Sequence, residues 1–198
     1  MQKLPIGIQT FNEIIDNNYL YIDKTEVFAK LLNSGKYFFL SRPRRFGKSL
    51  LVSTLKEIFR GNKELFKNLF IYDKYDWSEK FPVISFSFSS ITYSQSEEIF
   101  RDEIVKQMIE IGLTYNITIT EKTVILAFKQ LLTNLSKINK VVILIDEYDN
   151  PIIDFVNDSD NAIKNRNVLR EFYGLIKDYD EHIKFCLLTG VSKFSKVS

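Results

Sequence analysis

The sequence predicts an α/β fold in which a mostly parallel sheet is covered by helices on both faces. Apolar runs typical of buried strands alternate along the chain with segments whose apolar side chains recur at helical spacing. Strands that alternate with helices form parallel sheets, because each crossover helix returns the chain to the end of the sheet at which the previous strand began. The predicted strands are residues 37–40, 82–88, 141–145 and 184–190.

Helices are predicted in the segments around these strands. A short helix follows Thr25, which we expect to be its N-cap, and another follows the first strand and ends at Gly61. A capping box of Ser94 and Glu97 predicts the start of a third. Helical spacing predicts two more over residues 128–135 and 160–178.

Length and composition predict an ordinary globular protein. At 198 residues the chain is long enough for one substantial core, so we expect a single domain over 1–198, with a lead-in and helix over 1–35. We expect residues 1–24 of that lead-in to be irregular and residues 37–40 to form a buried strand. A net charge of +2 lacks the basic excess usual in nucleic-acid binders.

The N-terminus and the cysteine content predict a cytoplasmic protein. No apolar run has the length of a signal peptide or of a membrane span, so no membrane association is expected. The one cysteine, Cys186, excludes an internal disulfide and suits a reducing compartment. Cys186 and the one histidine, His182, are predicted to be structural, because neither has metal-ligand partners nearby in the sequence.

A basic loop follows the first predicted strand. Residues 41–51 read SRPRRFGKSLL, with the Gly-Lys-Ser of a phosphate-binding loop but Arg42 where such a loop usually begins with glycine. Pro43 has no N–H group, but it lies early in the loop, where no donor is needed. The backbone N–H groups that surround phosphate come from the later positions. The residues predicted to bind the nucleotide are Arg44, Arg45, Phe46, Gly47, Lys48, Ser49 and Leu50.

Two of these residues have side-chain roles in this interpretation. Lys48 is predicted to contact the terminal phosphates, and the Ser49 hydroxyl to bind Mg²⁺. The alternative is a helix N-terminus that contains Gly-Lys-Ser by chance. Arg44 and Arg45 have the alternative of solvated charges or of contacts with a partner.

The strand over residues 141–145 ends in two adjacent carboxylates. Asp146 is predicted to bind Mg²⁺ together with Ser49, and Glu147 to polarise the attacking water. The alternative is a strand end that meets solvent. The two motifs lie 98 residues apart with one further strand between them, and this pattern favours the branch of P-loop nucleoside triphosphatases that has an additional strand and a catalytic glutamate.

Thr189 ends the last predicted strand, and in that branch this strand lies between the two motif strands. Its hydroxyl is predicted to sense the γ-phosphate or to fix the water. The alternative is a threonine that caps a turn from strand to loop.

The chain resembles the AAA-ATPase-like proteins of bacteria. Five blocks carry the resemblance, LPIGIQTF, YLYIDKT, FFLSRPRRFGKSLLVSTL, LIDEYDNPI and LLTGVSKFSKVS, and they extend from residue 4 to residue 198. In that family Arg is common at the first loop position, so the resemblance implies that Arg42 belongs to an intact variant loop. It also implies ATP and Mg²⁺ as ligands, phosphate and Mg²⁺ binding by Lys48 and Ser49, an acidic motif of Asp146 and Glu147, and a sensor at Thr189. The block with Asp23, Lys24 and Thr25 has no assigned role.

The chain also departs from that family. Full members usually continue into a nuclease-like domain, so the resemblance implies a domain that is incomplete at its C-terminal end and nucleic-acid contact only through the missing part. A fifth strand beside the loop strand and a helical lid are also expected to be missing. Arg166 and Arg170 lie on a polar helix, but neither is assignable as an arginine finger.

Three functions remain open from the sequence. The first is an ATPase module of the AAA-like or signalling kind that is slow without a partner, either a second copy of the chain or another protein. The second is a nucleotide-dependent switch or interaction module with little hydrolysis. The third is a small-molecule kinase, against which the adjacent Asp-Glu pair argues because it favours water as the acceptor.

Overall fold

The computed structural model describes residues 2–94 and 96–192. Within these residues, four strands pair into one all-parallel sheet, and the architecture is consistent with a P-loop-like fold. The strands are β1 (Tyr37–Ser41), β2 (Val83–Ser87), β3 (Val141–Asp146) and β4 (Ile183–Gly190). The helices are α1 (Phe11–Asp16), α2 (Thr25–Leu32), α3 (Lys48–Phe59), α4 (Glu97–Thr114), α5 (Val124–Leu135), α6 (Asn150–Ile153) and α7 (Ser159–Asp178).

The strand order is β1-β4-β3-β2. The last strand in the sequence therefore lies between the strand that leads into the basic loop and the strand that ends in the acidic pair. This confirms the predicted position of β4. Because all strands are parallel, the segments that follow β1, β4 and β3 emerge side by side at the carboxyl end of the sheet.

Helices cover both faces of the sheet, as the alternating pattern predicts. On one face, α1, α2 and α3 pack against side chains such as Leu144 and Leu187. On the other face, α4, α5 and α7 pack against side chains such as Ile143 and Cys186. In the part of the chain that is described, no helix is both long and apolar enough to cross a membrane.

The prediction of an irregular lead-in over residues 1–24 is wrong in part, because α1 lies within it. Phe11 and Ile14 of this helix are fully buried. The Phe11 ring stacks on Phe66 with 4.7 Å between the ring centroids, and its backbone N–H donates to Ser53 Oγ at 2.9 Å. A short amphipathic helix is stabilised by this tertiary packing, which its own six residues do not reveal.

Residues 37–40 form the predicted strand, but the prediction that this strand is buried is wrong. β1 lies at the edge of the sheet and pairs only with β4 among the described residues. On the face that α7 covers elsewhere, Tyr37 is 47% exposed and Phe39 is 38% exposed. An apolar run predicts a strand, but it does not say how much of each face the helices reach.

Two predicted helix caps are replaced by neighbouring residues. Thr25 does not cap α2; it lies inside the helix, and Asp23 Oδ1 accepts hydrogen bonds from its N–H at 2.8 Å and from its hydroxyl at 2.7 Å. Asp23 Oδ2 also accepts from the N–H of Phe70 at 2.7 Å. At the start of α4 the N-cap is Ser96, whose Oγ accepts from the N–H of Ile99, in place of the predicted Ser94.

Candidate functional site

The basic loop joins the end of β1 to the start of α3. Its first residue is held to the neighbouring strand, because the N–H of Arg42 donates to the carbonyl of Gly190 at 3.0 Å. Arg45 and Gly47 have φ angles of 69° and 76°, in the left-handed region. Glycine adopts that region without strain, whereas arginine does so at some cost. These two reversals turn the loop back so that α3 begins at Lys48.

The backbone amides of this loop are free. Every N–H group from Arg44 to Leu50 is without a hydrogen-bond acceptor among the described residues. Residues 42–47 are exposed to solvent, and a Cβ added at Gly47 would meet no atom within 4 Å. Consecutive free amides at a helix N-terminus form a concave site with positive potential that suits phosphate.

Lys48 lies beneath this loop. Its side chain is almost fully buried at 5% exposure, and Nζ donates to the carbonyls of Arg42 at 3.1 Å and Pro43 at 3.2 Å. Within residues 2–94 and 96–192 it makes no ion pair with a carboxylate. A buried ammonium that contacts only neutral carbonyls is positioned to bind an anion above the loop.

The ends of β3 and β4 are joined directly by their side chains. Thr189, which is fully buried, donates a hydrogen bond from its hydroxyl to Asp146 Oδ1, and Asp146 is 6% exposed. Both side chains lie on the sheet face that α3 covers, because they alternate in step with Leu144 and Leu187. Lys48 at the start of α3 and this pair therefore lie on the same face of the sheet and at its carboxyl end.

Glu147 lies in a strained turn directly after β3. Its φ is 54°, a left-handed conformation that is uncommon for a residue with a long side chain. Its carboxylate turns back on this turn, where Oε2 accepts from Asn150 Nδ2 at 2.8 Å. The carbonyl of Glu147 accepts from the N–H of Asn150 at 3.1 Å.

Asp149 is a buried residue of this turn that the sequence analysis missed. It is fully buried, and its Oδ2 accepts from the N–H groups of Val191 at 2.8 Å and Ser192 at 2.6 Å. A Cβ at Gly190 would lie 2.6 Å from Asp149 Oδ1, so only glycine allows this approach. Asp149 thus fastens the acidic turn to the segment that follows Thr189. An acid directly after the apolar, buried Tyr148 is the sequence signal that could have indicated it.

Two buried polar atoms near these Asp149 contacts have no hydrogen-bond partner in the described chain. They are Asp149 Oδ1 and the hydroxyl oxygen of Tyr173. Burial raises the pKa of Tyr173 well above its usual value, and the negative charge of the Asp149 carboxylate acts in the same direction. Tyr173 is therefore a neutral phenol at physiological pH.

Arg44 and Phe46 point away from the core. Arg44 Nη2 lies 3.9 Å from Asp154 Oδ1 just after α6, and Asp154 also accepts a hydrogen bond from the Tyr93 hydroxyl. Phe46 is 67% exposed. The Arg44 contact links the loop weakly to the segment after the acidic turn, because an exposed pair at this distance contributes little.

The oxygen atoms at the site suit Mg²⁺ and not a softer metal. The Ser49 hydroxyl makes no hydrogen bond to a described residue, and Asp146 supplies a carboxylate at the same end of the sheet. No group of three or more His, Cys, Asp or Glu side chains in the described chain could hold a metal. Mg²⁺ is usually bound by one or two protein oxygens plus phosphate and water, so this donor set fits it.

The cysteine is structural, as predicted. Cys186 lies within β4 and is buried against the helices of the second face. Burial raises the pKa of its thiol to about 12, so the reactive thiolate is scarce at neutral pH.

The structure therefore places the predicted residues at the carboxyl end of the sheet. The described residues bring together the loop 44–50, Asp146, Glu147 and Thr189, and they add Asp149 and Asn150. The last part of the block LLTGVSKFSKVS, residues 193–198, lies outside the described residues.

Comparison with known proteins identifies the family of this chain. An uncharacterized protein encoded in the vnfD 5' region of Azotobacter chroococcum mcd 1 is 41% identical over 200 aligned residues, which cover all of this chain. The chain spans 39% of that relative's length. No solved structure matches it. A family model described as "Predicted AAA-ATPase" matches residues 5–198, and the chain therefore belongs to this AAA-ATPase-like family.

Proposed function

We propose that this chain binds Mg·ATP at residues 44–50 and hydrolyses it to ADP and phosphate. The observation that carries the proposal is the run of free amides from Arg44 to Leu50 above the buried ammonium of Lys48. Amides at a helix N-terminus and an unpaired cation are the groups that bind the β- and γ-phosphates in P-loop proteins. Membership of an ATPase-like family supports ATP as the ligand.

In this proposal each side chain at the carboxyl end of the sheet has one role. Lys48 pairs with the terminal phosphates, which releases it from the carbonyls that it now contacts. Ser49 and Asp146 hold Mg²⁺, which neutralises phosphate charge when it is bound. The Thr189 hydroxyl, now hydrogen-bonded to Asp146, senses the γ-phosphate or fixes the water.

Glu147 is the proposed base for hydrolysis. It follows directly after Asp146, and β4 lies between β3 and β1. This order supports assignment to the branch of P-loop proteins with an additional strand and a catalytic glutamate. A carboxylate beside the attacking water polarises it and accepts its proton.

The test is Glu147→Gln, which preserves the side-chain shape and removes the base. We expect Mg·ATP binding to be unchanged and phosphate release to fall by about 10²–10⁴-fold, the usual loss for general-base function. Asp146→Asn should instead weaken the dependence on Mg²⁺. Glu121→Gln is the matched control, because Glu121 is exposed between α4 and α5, away from the site.

Three outcomes decide between the functions. Loss of turnover in Glu147→Gln alone supports the ATPase. A wild-type chain that binds Mg·ATP but releases no phosphate contradicts it, and the nucleotide-dependent switch then replaces it. A wild-type chain that binds no nucleotide contradicts both.

A further inference from the structure

The turn after β3 holds the Glu147 carboxylate in one position. Asn150 Nδ2 donates to Glu147 Oε2 at 2.8 Å, and the Asn150 N–H donates to the Glu147 carbonyl at 3.1 Å. Asn150 is only 7% exposed, so its amide has little access to water as an alternative partner. Both contacts come from one residue, which therefore fixes the backbone and the side chain of Glu147 together.

The residue that makes these contacts is itself anchored on several sides. Asp149, its neighbour, binds the N–H groups of Val191 and Ser192. The N–H of Tyr148 donates to the Thr189 carbonyl at 3.0 Å. After Asn150, the ring of Pro151 restricts the backbone at the start of α6. The amide of Asn150 thus lies on a rigid turn, which is what a group that orients another side chain requires.

Only one oxygen of Glu147 is engaged by this contact. Oε1 has no hydrogen-bond partner among the described residues, so it remains available to accept from water. A glutamate side chain that is free to rotate would lose conformational entropy each time it took the reactive position. A fixed donor on Oε2 removes that loss in advance, as the third member of a base-orienting group does in other enzymes.

We propose that Asn150 is a positioning residue that holds Glu147 by Oε2 and so presents Oε1 to the attacking water. This role rests on the proposed hydrolysis of ATP. Asn150 acts through Glu147 and is given no contact with the nucleotide.

The test is Asn150→Asp, which keeps the shape of the side chain but replaces the donor by a second acceptor. We expect kcat to fall by about tenfold or more, because a hydrogen bond to a charged group corresponds to roughly one to two orders of magnitude. KM for ATP should stay within about twofold, since the phosphate-binding amides are untouched. A merely structural residue would not produce this split.

The double variant Glu147→Gln/Asn150→Asp shows whether the two residues act together. Because Asn150 acts only through Glu147, we expect no further loss of turnover beyond that of Glu147→Gln. Asn134→Asp is the matched control; Asn134 Nδ2 donates to the Gln130 carbonyl at 2.8 Å within α5, so its turnover should equal that of the wild type. Asn150→Ala, which adds no charge, serves if Asn150→Asp does not fold.

The outcomes separate this role from the function on which it rests. If wild type turns over ATP and Glu147→Gln does not, but Asn150→Asp keeps full kcat, the positioning role is overturned and the ATPase stands. An equal loss from Asn150→Asp in the wild-type and Glu147→Gln backgrounds also overturns it. Additive effects on the melting temperature in this cycle would show that the contact is absent. A chain without turnover overturns both.

Discussion

Lys48→Ala removes the ammonium that lies buried beneath the basic loop. This group donates to the carbonyls of Arg42 and Pro43, and both of those residues are exposed. Because both residues are exposed, water can replace the lost donor, and removal of a buried charge offsets part of the loss. We therefore expect the nucleotide-free variant to differ from the wild type by only about 1 kcal/mol in its free energy of unfolding.

The effect on nucleotide binding should be much larger. A ligand that binds only the folded state at a hundred times its Kd raises the free energy of unfolding by about 2.7 kcal/mol. For a chain of this length that corresponds to a rise in Tm of about 5–10 °C. Loss of one contact between a cation and phosphate weakens binding by about a hundredfold. At the same ATP concentration the stabilisation of Lys48→Ala then falls to about 0.4 kcal/mol, or about 1 °C.

The assay is thermal unfolding with and without Mg·ATP. Lys56→Ala is the matched control, because Lys56 lies two turns further along α3 and is half-buried without an ion-pair partner in the described chain. We expect the control to keep the full shift. An equal shift in Lys48→Ala and in the wild type would refute the assignment of the loop as a phosphate site.

Two further predictions concern the carboxylate of Asp23 and the edge strand β1. Three hydrogen bonds, from the N–H of Phe70 and from the N–H and hydroxyl of Thr25, lower the pKa of Asp23 although burial alone would raise it. A depressed folded-state pKa gives stability that is present above pH ~4 and is lost as the pH falls further, so Asp23→Asn should cost about 1 kcal/mol in urea unfolding at pH 7 and less at pH 3; equal losses at both pH values would contradict this. The exposed edge of β1 should make the chain self-associate in sedimentation experiments, and Tyr37→Lys should reduce the association, since a charge on an edge strand opposes pairing; a wild-type monomer at high concentration would contradict it.

The elements with strong periodicity could be predicted from the sequence. Leu55, Ile58 and Phe59 are buried on one face of α3, and the aliphatic run before Asp146 forms the fully buried β3. These predictions succeed because burial imposes the 3.6-residue and two-residue periods directly on the chain. The position of the basic loop and of the acidic pair then follows from the parallel sheet.

Features that depend on partners distant in the sequence could not be predicted. The helix α1 is stabilised by Phe66, and the role of Asp23 depends on Phe70. Both partners lie more than 45 residues away along the chain. Local propensity contains no information about such contacts, so an irregular lead-in and a capping Thr25 were the natural local interpretations.

The geometry of the acidic turn also depends on a distant segment, the end of β4. Gly190 accepts a hydrogen bond from Arg42 of the basic loop, while Thr189 accepts one from Tyr148 of the acidic turn. The two motifs therefore do not contact each other through this backbone network; each is held to the strand between them. Asp149 adds hydrogen bonds from the N–H groups of residues 191 and 192, which also hold the acidic turn to the end of β4. The order β1-β4-β3 thus makes β4 the common support of both motifs, so the geometry of neither motif could be predicted from its own residues alone.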